Sequence, residues 1–183
     1  MANRKKAIFL DRDGTLNHDD GYTYRTEDFK LIEGAIEALK LLQKDYVFFI
    51  VTNQSGVGRG LFTIGDVHKF NNKMLKEFKK NGIKIEKIHI CPHAPNEDCE
   101  CRKPSAKFAR EAAKEYNIDL KKSWAIGDHP SDVKMGNNAG CRSIYLLTGH
   151  GETHSAELKE RSAKPDFVCK DIFEAAETIL KNI

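Results

Sequence analysis

Short apolar runs alternate with longer amphipathic segments along most of the chain. The apolar runs have the length of buried strands, and they predict strands at 7–10, 47–51, 85–90, 123–126, 143–147 and 166–169. The amphipathic segments predict helices at 34–44, 63–81, 105–116 and 131–139, and a last helix that begins near Asp171. Gly82 is placed to end the second helix, and Asp171 with Glu174 has the spacing of a capping box.

This alternation predicts an α/β fold with a central parallel sheet and helices on both faces, the Rossmann-like class. We find no internal repeat, low-complexity tract or linker, so residues 1–183 are expected to form a single domain. Ligands of such sheets bind at the C-terminal ends of the strands. Polar residues that directly follow a predicted strand are therefore the first candidates for a functional site.

Composition narrows the class of protein. No apolar stretch approaches the about 20 residues that a membrane span needs, and the first apolar run is too short for a signal peptide. The net charge of +3 is mild and is not concentrated in long runs, so it does not argue for a nucleic-acid partner. We therefore expect a cytoplasmic monomer that acts on a small molecule.

Two carboxylates, Asp11 and Asp13, follow the first predicted strand, and Gly14 allows a sharp turn after them. Such a pair can divide the work on a phosphate ester: one acts as nucleophile, the other as general acid and base. A carboxylate that approaches a phosphate dianion needs a cation, and Mg²⁺ with its oxygen ligands fits. Taken alone, the Asp-x-Asp spacing favours a solvated turn after a strand over a catalytic pair, so the rest of the chain must decide.

The string Phe-Leu-Asp-Arg-Asp-Gly-Thr-Leu at 9–16 resembles the nucleophile motif of the haloacid dehalogenase (HAD) superfamily of phosphatases. The other three motifs of that superfamily follow in order. Thr52 comes after the second predicted strand, Lys103 lies in an Arg-Lys-Pro sequence, and Asp128 follows the strand at 123–126. Taken singly, a glycine-rich loop after Thr52 or a solvated basic pair at Lys103 would mean little, and the order of the motifs favours the functional interpretation.

The resemblance implies a role for each motif. Asp11 is the nucleophile, Asp13 the general acid and base, and Thr52 and Lys103 stabilise the transferring phosphoryl group. The implied Mg²⁺ ligands are the Asp11 carboxylate, the Asp13 main-chain carbonyl and Asp128. A further acid of the fourth motif, Asp132, is expected to support the metal site or to cap the following helix with Ser131.

The spacing of the motifs predicts a capless enzyme. Neither the segment between Asp11 and Thr52 nor that between the third strand and Lys103 is long enough for the cap domain that many HAD members carry. An open site of this kind suits a substrate that is large enough to cover the site itself. The segment 19–22 is the best candidate for a flap that faces the substrate, although a solvated acidic turn would look the same.

A second metal site is predicted in the loop 91–101. Three thiols and one imidazole occur there, at Cys91, His93, Cys99 and Cys101. This ligand set suits a tetrahedral structural Zn²⁺ and leaves no open position for catalysis. A disulfide is disfavoured in the cytoplasm, and the polar, proline-rich loop disfavours cysteines buried as apolar groups. Cys141 and Cys169 lie in or beside predicted core elements and are expected to serve in packing.

The cysteine loop runs directly into Arg102-Lys103-Pro104, and this arrangement resembles the HAD phosphatases that remove the 7-phosphate of D-glycero-D-manno-heptose 1,7-bisphosphate. By position, the resemblance implies substrate contacts from Asp11, Arg12, Asp13, Asp19, Asp20, Gly21, Tyr22, Thr52, Asn53, Gln54, Ser55, Arg102, Lys103 and His129. Arg102 is expected to grip a second anionic group of the substrate. His129 is a departure, because that family often has Lys there.

Three alternatives remain at this point. The short spacing between His93 and Cys99 is typical of the related histidinol-phosphate phosphatases, which are the first alternative. The second is a zinc-stabilised binding protein without catalysis, which the intact motif residues argue against. Nucleic-acid 3′-phosphatases share the first motif, but clusters of aromatic and basic residues are lacking here.

Overall fold

The strands form one parallel sheet. The computed structural model describes residues 4–160 and 162–182, and its strands are β1 (Lys6–Leu10), β2 (Tyr46–Asn53), β3 (Ile85–Cys91), β4 (Trp124–Gly127), β5 (Arg142–Leu146) and β6 (Phe167–Cys169). Their order across the sheet is β3-β2-β1-β4-β5-β6, and each neighbouring pair is parallel. The direction of winding reverses between β1 and β4, so the C-terminal ends of these two strands open a crevice.

Helices cover both faces of the sheet. In the described residues the α-helices are α1 (Ala35–Leu42), α2 (Ser55–Gly58), α3 (Ile64–Lys80), α4 (Lys107–Tyr116), α5 (Pro130–Ala139), α6 (Gly151–His154), α7 (Glu157–Glu160) and α8 (Ile172–Leu180). Side chains of α1, α3 and α8 join one apolar core, and side chains of α4 and α5 join a second. The sheet therefore lies between two helical layers, which confirms the predicted α/β class.

The central strands supply both cores at once. Ile8 and Leu10 of β1 belong to the first core, whereas Ala7 and Phe9 belong to the second. Successive side chains of a strand point to opposite faces, so a strand covered on both sides needs an unbroken apolar run. This requirement is the reason why the strands could be read from the sequence.

The observed strands and α-helices match the predicted ones within a few residues, and the described residues contain three additional α-helices. The sequence pattern did not predict α2, α6 or α7, each of which is a single turn of four residues. One turn is too short to show the helical period of apolar positions. Two of these additions, α6 and α7, lie in the segment that follows β5, beside the candidate site.

The predicted helix ends are mostly confirmed. Thr63 caps α3 in a capping box, and Gly82 follows the end of that helix with φ of 74°. Asp171 caps α8 by accepting from the amide of Glu174 at 2.8 Å. The carboxylate of Glu174, however, accepts from the amide of Lys170 at 2.6 Å, so the second half of the predicted capping box is shifted by one residue.

The connections between strands leave the crevice open. Between β1 and α1 the chain forms an irregular segment with one 3₁₀ turn at Thr26–Asp28, and between β3 and α4 it forms the cysteine loop. Within the described ranges neither connection contains a cap domain, as predicted. Across residues 4–160 and 162–182, no helix combines the length and the apolar character that crossing a membrane requires.

Candidate active site

The crevice between β1 and β4 receives polar side chains from several strand ends. Asp11 follows β1, Thr52 is the last residue but one of β2, and Asp128 follows β4. The amide of Asp11 donates to the carbonyl of Ile126 at 2.9 Å, which extends the β1–β4 pairing to the residue where the loop begins. The sheet thereby brings together groups that are far apart in the sequence.

Lys103 lies at the centre of this polar cluster. Its Nζ atom lies 2.6 Å from Oδ1 of Asp11 and 2.6 Å from Oδ1 of Asp132, and it donates to the carbonyl of Val51 at 2.9 Å. Only 3% of its side chain is exposed. Burial alone would lower the pKa of Lys103, but the two carboxylates outweigh it and raise the pKa. Lys103 therefore remains a cation.

The main chain of Lys103 is fixed by Asn53. The amide of Lys103 donates to Oδ1 of Asn53 at 3.0 Å, and Nδ2 of Asn53 donates back to the carbonyl of Lys103 at 3.4 Å. The carboxamide of Asn53 thus positions Lys103, a role that the sequence did not reveal. Ser55, another predicted substrate contact, is the half-buried first residue of α2.

Three carboxylates converge beside Lys103. Asp11, Asp128 and Asp132 each bring one carboxylate oxygen within 4.8 Å of the others. Burial raises the pKa of Asp11 well above its usual value, and burial together with Asp132 raises the pKa of Asp128 to about 7. If all three acids were ionised, they would face only the ammonium of Lys103 and leave an excess of buried negative charge, which is why the pKa values of Asp11 and Asp128 are raised. A divalent cation that prefers oxygen ligands would balance this charge.

The carboxylate of Asp13 lies apart from these acids and is held by three donors. Arg12 Nε donates to its two oxygens at 3.0 and 3.1 Å, Asn17 Nδ2 donates to Oδ1 at 3.0 Å, and Gln54 Nε2 donates to Oδ2 at 2.7 Å. Gln54 Nε2 also donates to Oγ1 of Thr52 at 2.8 Å. Asp13 and Thr52 are therefore oriented by one shared amide.

Arg12 does not have the role that its position in the motif suggested. Its side chain is fully buried, its Nη1 donates to Asn71 Oδ1 at 2.9 Å, and its Nη2 donates to the carbonyl of Thr23 at 3.0 Å. The guanidinium also lies over the ring of Phe70 at 4.6 Å. The structure thus corrects the expectation of substrate contact by this side chain. Arg12 instead positions Asp13 and joins it to α3.

The predicted flap at 19–22 is a turn braced by its own first residue. Oδ1 of Asp19 accepts from the amide of Gly21 at 3.0 Å and from the hydroxyl of Thr23 at 2.8 Å. Asp20 and Gly21 are exposed, and Tyr22, with φ of 56°, is 44% exposed. The tip of the flap is therefore accessible, whereas one carboxylate oxygen of Asp19 serves the turn itself.

A loop after β5 completes the site, and the sequence analysis missed it. Thr148 Oγ1 donates to the carbonyl of Gly14 at 2.7 Å, and the amide of His150 donates to Oδ2 of Asp128 at 2.8 Å. His150 Nε2 lies 3.4 Å from Oδ2 of Asp19. This loop thus connects Asp128 with the flap.

Glycine is required where this loop meets Asp128. Gly149 and Gly14 have positive φ angles of 55° and 75°, and a Cβ atom at either position would overlap Oδ2 of Asp128. The two glycines therefore enclose the carboxylate from opposite loops. The signal that could have found the β5 loop is its Thr-Gly-His-Gly sequence directly after a predicted strand, the same kind of signal as at the other strand ends.

Two further predicted contacts lie beside the crevice. Arg102 is half-buried, and its Nη1 donates to the carbonyl of His93 in the cysteine loop at 3.2 Å. His129 caps α5: Ser131 donates its amide to Nδ1 of His129 at 3.1 Å, and Asp132 accepts from the amide of His129 at 3.0 Å. Asp132 therefore both caps the helix and binds Lys103, and the first of these contacts confirms the expected helix cap.

The cysteine loop gathers its predicted ligands into one cluster. The ligand atoms of Cys91, His93, Cys99 and Cys101 lie within 4.8 Å of one another. The sulfur atoms of Cys91 and Cys99 are 3.8 Å apart. Nδ1 of His93 lies 3.6 Å from the sulfur of Cys91 and 3.3 Å from that of Cys101. Bond lengths of about 2.0–2.3 Å in a tetrahedral Zn²⁺ site require ligand separations of about 3.5–3.8 Å, so the cluster fits this ion.

Cys141 and Cys169 have no such neighbours among residues 4–160 and 162–182. Cys141 and Cys169 are buried members of the two apolar cores, as predicted from their positions. All five cysteines are free thiols, so the structure contains no disulfide in the cysteine loop.

Comparison with known proteins gives one consistent family. The HAD-hydrolase-like family matches residues 100–175. D-glycero-alpha-D-manno-heptose-1,7-bisphosphate 7-phosphatase from Campylobacter jejuni is 46% identical over 145 residues, which cover 79% of this chain and 83% of that protein. D-glycero-beta-D-manno-heptose-1,7-bisphosphate 7-phosphatase from Helicobacter pylori is 42% identical and covers 86% of this chain and 96% of that protein.

A solved structure shares both the fold and the extent of the chain. D,D-heptose 1,7-bisphosphate phosphatase from B. bronchiseptica, complexed with magnesium and phosphate, superposes with a TM-score of 0.87 at 33% identity. The match covers 97% of this chain and 99% of that one.

The raised pKa of Asp128 predicts a measurable pH effect on stability. In the metal-free folded protein Asp128 keeps its proton up to about pH 7, whereas an aspartate of the unfolded chain loses its proton near about pH 4. The contribution of this group to the free energy of unfolding is therefore present at low pH and is lost as the pH rises from about 4 to about 7. Asp128→Asn should lack this contribution.

Urea unfolding of both proteins without added Mg²⁺, at about pH 5 and about pH 8, measures the difference. Relative to the variant, the unsubstituted protein should lose stability at the higher pH, and added Mg²⁺ should restore it by binding the ionised carboxylate. Identical pH dependence in the two proteins would contradict the assignment of Asp128 as a buried acid.

Proposed function

The chain belongs to the D-glycero-D-manno-heptose-1,7-bisphosphate 7-phosphatase family of HAD-like hydrolases, and from this we propose that it hydrolyses the 7-phosphate of D-glycero-D-manno-heptose 1,7-bisphosphate. The observation that carries this proposal is the convergence of Asp11, Thr52, Lys103 and Asp128 at one end of the sheet. Each of these residues comes from a different motif, and together they form an acidic site with one buried cation. Such a site suits the transfer of a phosphoryl group to a carboxylate.

We assign the acidic cluster to Mg²⁺. Its ligands would be the Asp11 carboxylate, the Asp13 main-chain carbonyl and Asp128, with Asp132 supporting them through Lys103. The excess of buried carboxylate charge is the feature of this chain that fits the ion. When bound, Mg²⁺ supplies positive charge that offsets the repulsion between a carboxylate and a phosphate dianion. The solved B. bronchiseptica enzyme, which contains magnesium and phosphate, supports this assignment.

The protein groups then divide the reaction between them. A carboxylate oxygen of Asp11 attacks phosphorus, the bond from phosphorus to the sugar oxygen breaks, and Asp13 donates a proton to that oxygen. Asp13 then takes a proton from water, whose oxygen attacks the aspartyl-phosphate and releases phosphate and free Asp11. The donors around Asp13 keep its carboxylate in one orientation for both steps.

Charge on the transferring group is stabilised by Lys103 and Thr52. The ammonium of Lys103 is fixed by Asp11, Asp132 and a main-chain carbonyl, so it needs no rearrangement during the reaction. Because Oγ1 of Thr52 accepts from Gln54, its own hydrogen can be directed to a phosphoryl oxygen.

The remaining predicted contacts would hold the sugar and its second phosphate. The flap at 19–22 and the residues Arg102 and His129 border the crevice on sides that no cap domain covers in the described residues. Arg102 is our candidate for the phosphate that stays on the product. We further propose that the protein acts as a cytoplasmic monomer on this small substrate.

The cysteine loop is assigned to structural Zn²⁺. The cluster has four protein ligands at separations that suit tetrahedral coordination, and it fits a closed site without a catalytic position. Arg102 binds the carbonyl of His93 and precedes Lys103, so the metal loop would hold both cations in place.

Replacing the nucleophile tests the mechanism. Asp11→Asn should abolish turnover with the fold intact, because the amide does not attack phosphorus. Asp13→Asn should lower kcat by about 10²–10⁴-fold, the usual contribution of general acid–base catalysis. Asp45 is an exposed acid that directly precedes β2, at the end of the sheet opposite the crevice. Asp45→Asn is therefore the matched control and should leave kcat unchanged. Turnover by pure Asp11→Asn at the unsubstituted rate would exclude the aspartyl-phosphate mechanism.

Substrate comparison tests the assignment of the sugar bisphosphate. We expect a higher kcat/KM for D-glycero-D-manno-heptose 1,7-bisphosphate, measured with both anomers, than for histidinol phosphate. Arg102→Ala should weaken bisphosphate turnover by roughly 10–150-fold, as one lost charge-assisted hydrogen bond implies, and should affect a small monophosphate far less. Arg110→Ala, an exposed arginine on α4, is the control. Preference for histidinol phosphate would refute the heptose assignment and leave the catalytic roles intact.

Metal analysis tests the cysteine loop. We expect about one zinc per chain, lost in Cys99→Ala and kept in Cys141→Ala. Loss of zinc should lower the melting temperature and reduce activity on the order of 10²-fold, because errors of about 1 Å in the position of Lys103 are costly. A zinc-free protein with full activity and an unchanged melting temperature would rule out a structural role.

A further inference from the structure

A third group of metal-binding side chains lies outside both metal sites described above. His129, His154 and Glu157 each bring one ligand atom within 4.8 Å of the others. His129 is the cap of α5, His154 ends α6, and Glu157 begins α7. The cluster therefore connects α5, the helix that follows Asp128, with the segment that follows β5.

The three side chains are already oriented toward one another. His154 Nδ1 lies 2.5 Å from Oε1 of Glu157, and the rings of His129 and His154 are 4.8 Å apart between centroids. The side chains of His154 and Glu157 are 30% and 26% exposed, so an ion can reach them from solvent without opening the core. The donors thus converge at the surface of a rigid helix end.

The donor chemistry differs from that of the acidic cluster. Asp11, Asp128 and Asp132 offer only oxygen, which suits Mg²⁺, whereas two imidazoles and one carboxylate suit Zn²⁺, Ni²⁺ or Co²⁺. The same two-histidine, one-carboxylate set holds zinc in several metalloenzymes. We propose that His129, His154 and Glu157 form a binding site for a divalent transition-metal ion.

Neighbouring groups supply the support that a metal-binding histidine needs. Nδ1 of His129 accepts from the amide of Ser131 at 3.1 Å and lies 2.8 Å from the hydroxyl of Ser131, which fixes the orientation of the ring. To bind an ion through its other nitrogen, the ring would carry its proton on Nδ1 and donate it to that hydroxyl in place of accepting the amide. On entry, the ion takes the place of the proton between His154 and Glu157, and that proton passes to solvent. The separation of these two ligand atoms then has to grow from 2.5 Å to about 3.3 Å, the edge length that bonds of about 2.0–2.1 Å require.

Binding of an ion here would tie two segments together. α6 and α7 are single turns, and the metal would link them to the N-terminus of the ten-residue helix α5. A ligand that binds only the folded chain stabilises it by mass action. The expected signs are therefore one additional bound ion and a higher melting temperature, and neither depends on substrate or on catalysis.

Nickel titration tests this proposal on the complete, tag-free protein with zinc already bound and Mg²⁺ in excess. Isothermal titration calorimetry should give one more Ni²⁺ equivalent for the unsubstituted protein than for His154→Ala. Glu157→Gln should lower the affinity for that additional Ni²⁺ ion on the order of 10- to 100-fold. His68→Ala, an exposed histidine on α3, is the matched control for loss of one imidazole and should bind like the unsubstituted protein.

Melting temperatures complete the test. Ni²⁺ should raise the melting temperature of the unsubstituted protein and of His68→Ala by the same amount, and should raise that of His154→Ala less. If His154→Ala does not fold, the comparison of Glu157→Gln with His68→Ala decides the question. Equal Ni²⁺ stoichiometry and affinity in all folded proteins would overturn the proposal.

Discussion

The contact on which this site depends is the ammonium of Lys103 between the carboxylates of Asp11 and Asp132. A buried ammonium is costly unless it is paired, and a pair of buried acids is costly without a cation. Each partner is therefore stable in the crevice only because the others are present. This mutual requirement joins the loop after β1, the cysteine loop and α5 into one unit, which is the geometry that phosphoryl transfer needs.

Most of the fold could be predicted because the sheet is covered on both faces. Such strands must be continuous apolar runs, and the polar residues that follow them then lie together at the C-terminal ends of the parallel strands. The resemblance of four ordered motifs to those of the HAD superfamily implied the roles that we propose for Asp11, Thr52, Lys103 and Asp128. The single turns α2, α6 and α7 could not be found, because four residues are too few to show a helical period.

The errors in the predicted site concern orientation, which a linear motif does not contain. Arg12 lies between the two catalytic acids in sequence, yet its side chain is buried against Phe70 and Asn71. The carboxamide of Asn53 holds the main chain of Lys103, a contact that its position in the motif did not indicate. Motif position identifies which residues gather at the crevice. Which of them face the ligand depends on packing against α3 and the cysteine loop, and that packing is settled by contacts between distant segments.

The segment after β5 shows how a capless fold can still build a complete site. His150 joins Asp128 to the flap residue Asp19, and His154 places its ring against His129 at the start of α5. These contacts come from the C-terminal end of β5, next to β4 in the sheet, so the same strand-end rule that gathers the catalytic groups also brings this loop to them. The cluster of His129, His154 and Glu157 offers two nitrogens and one carboxylate, whereas the acidic cluster offers only oxygen, so the two proposed sites would prefer different ions. At the C-terminal end of this sheet, the selectivity between a transition metal and Mg²⁺ would then come from the type of ligand atom and not from the distance between the sites.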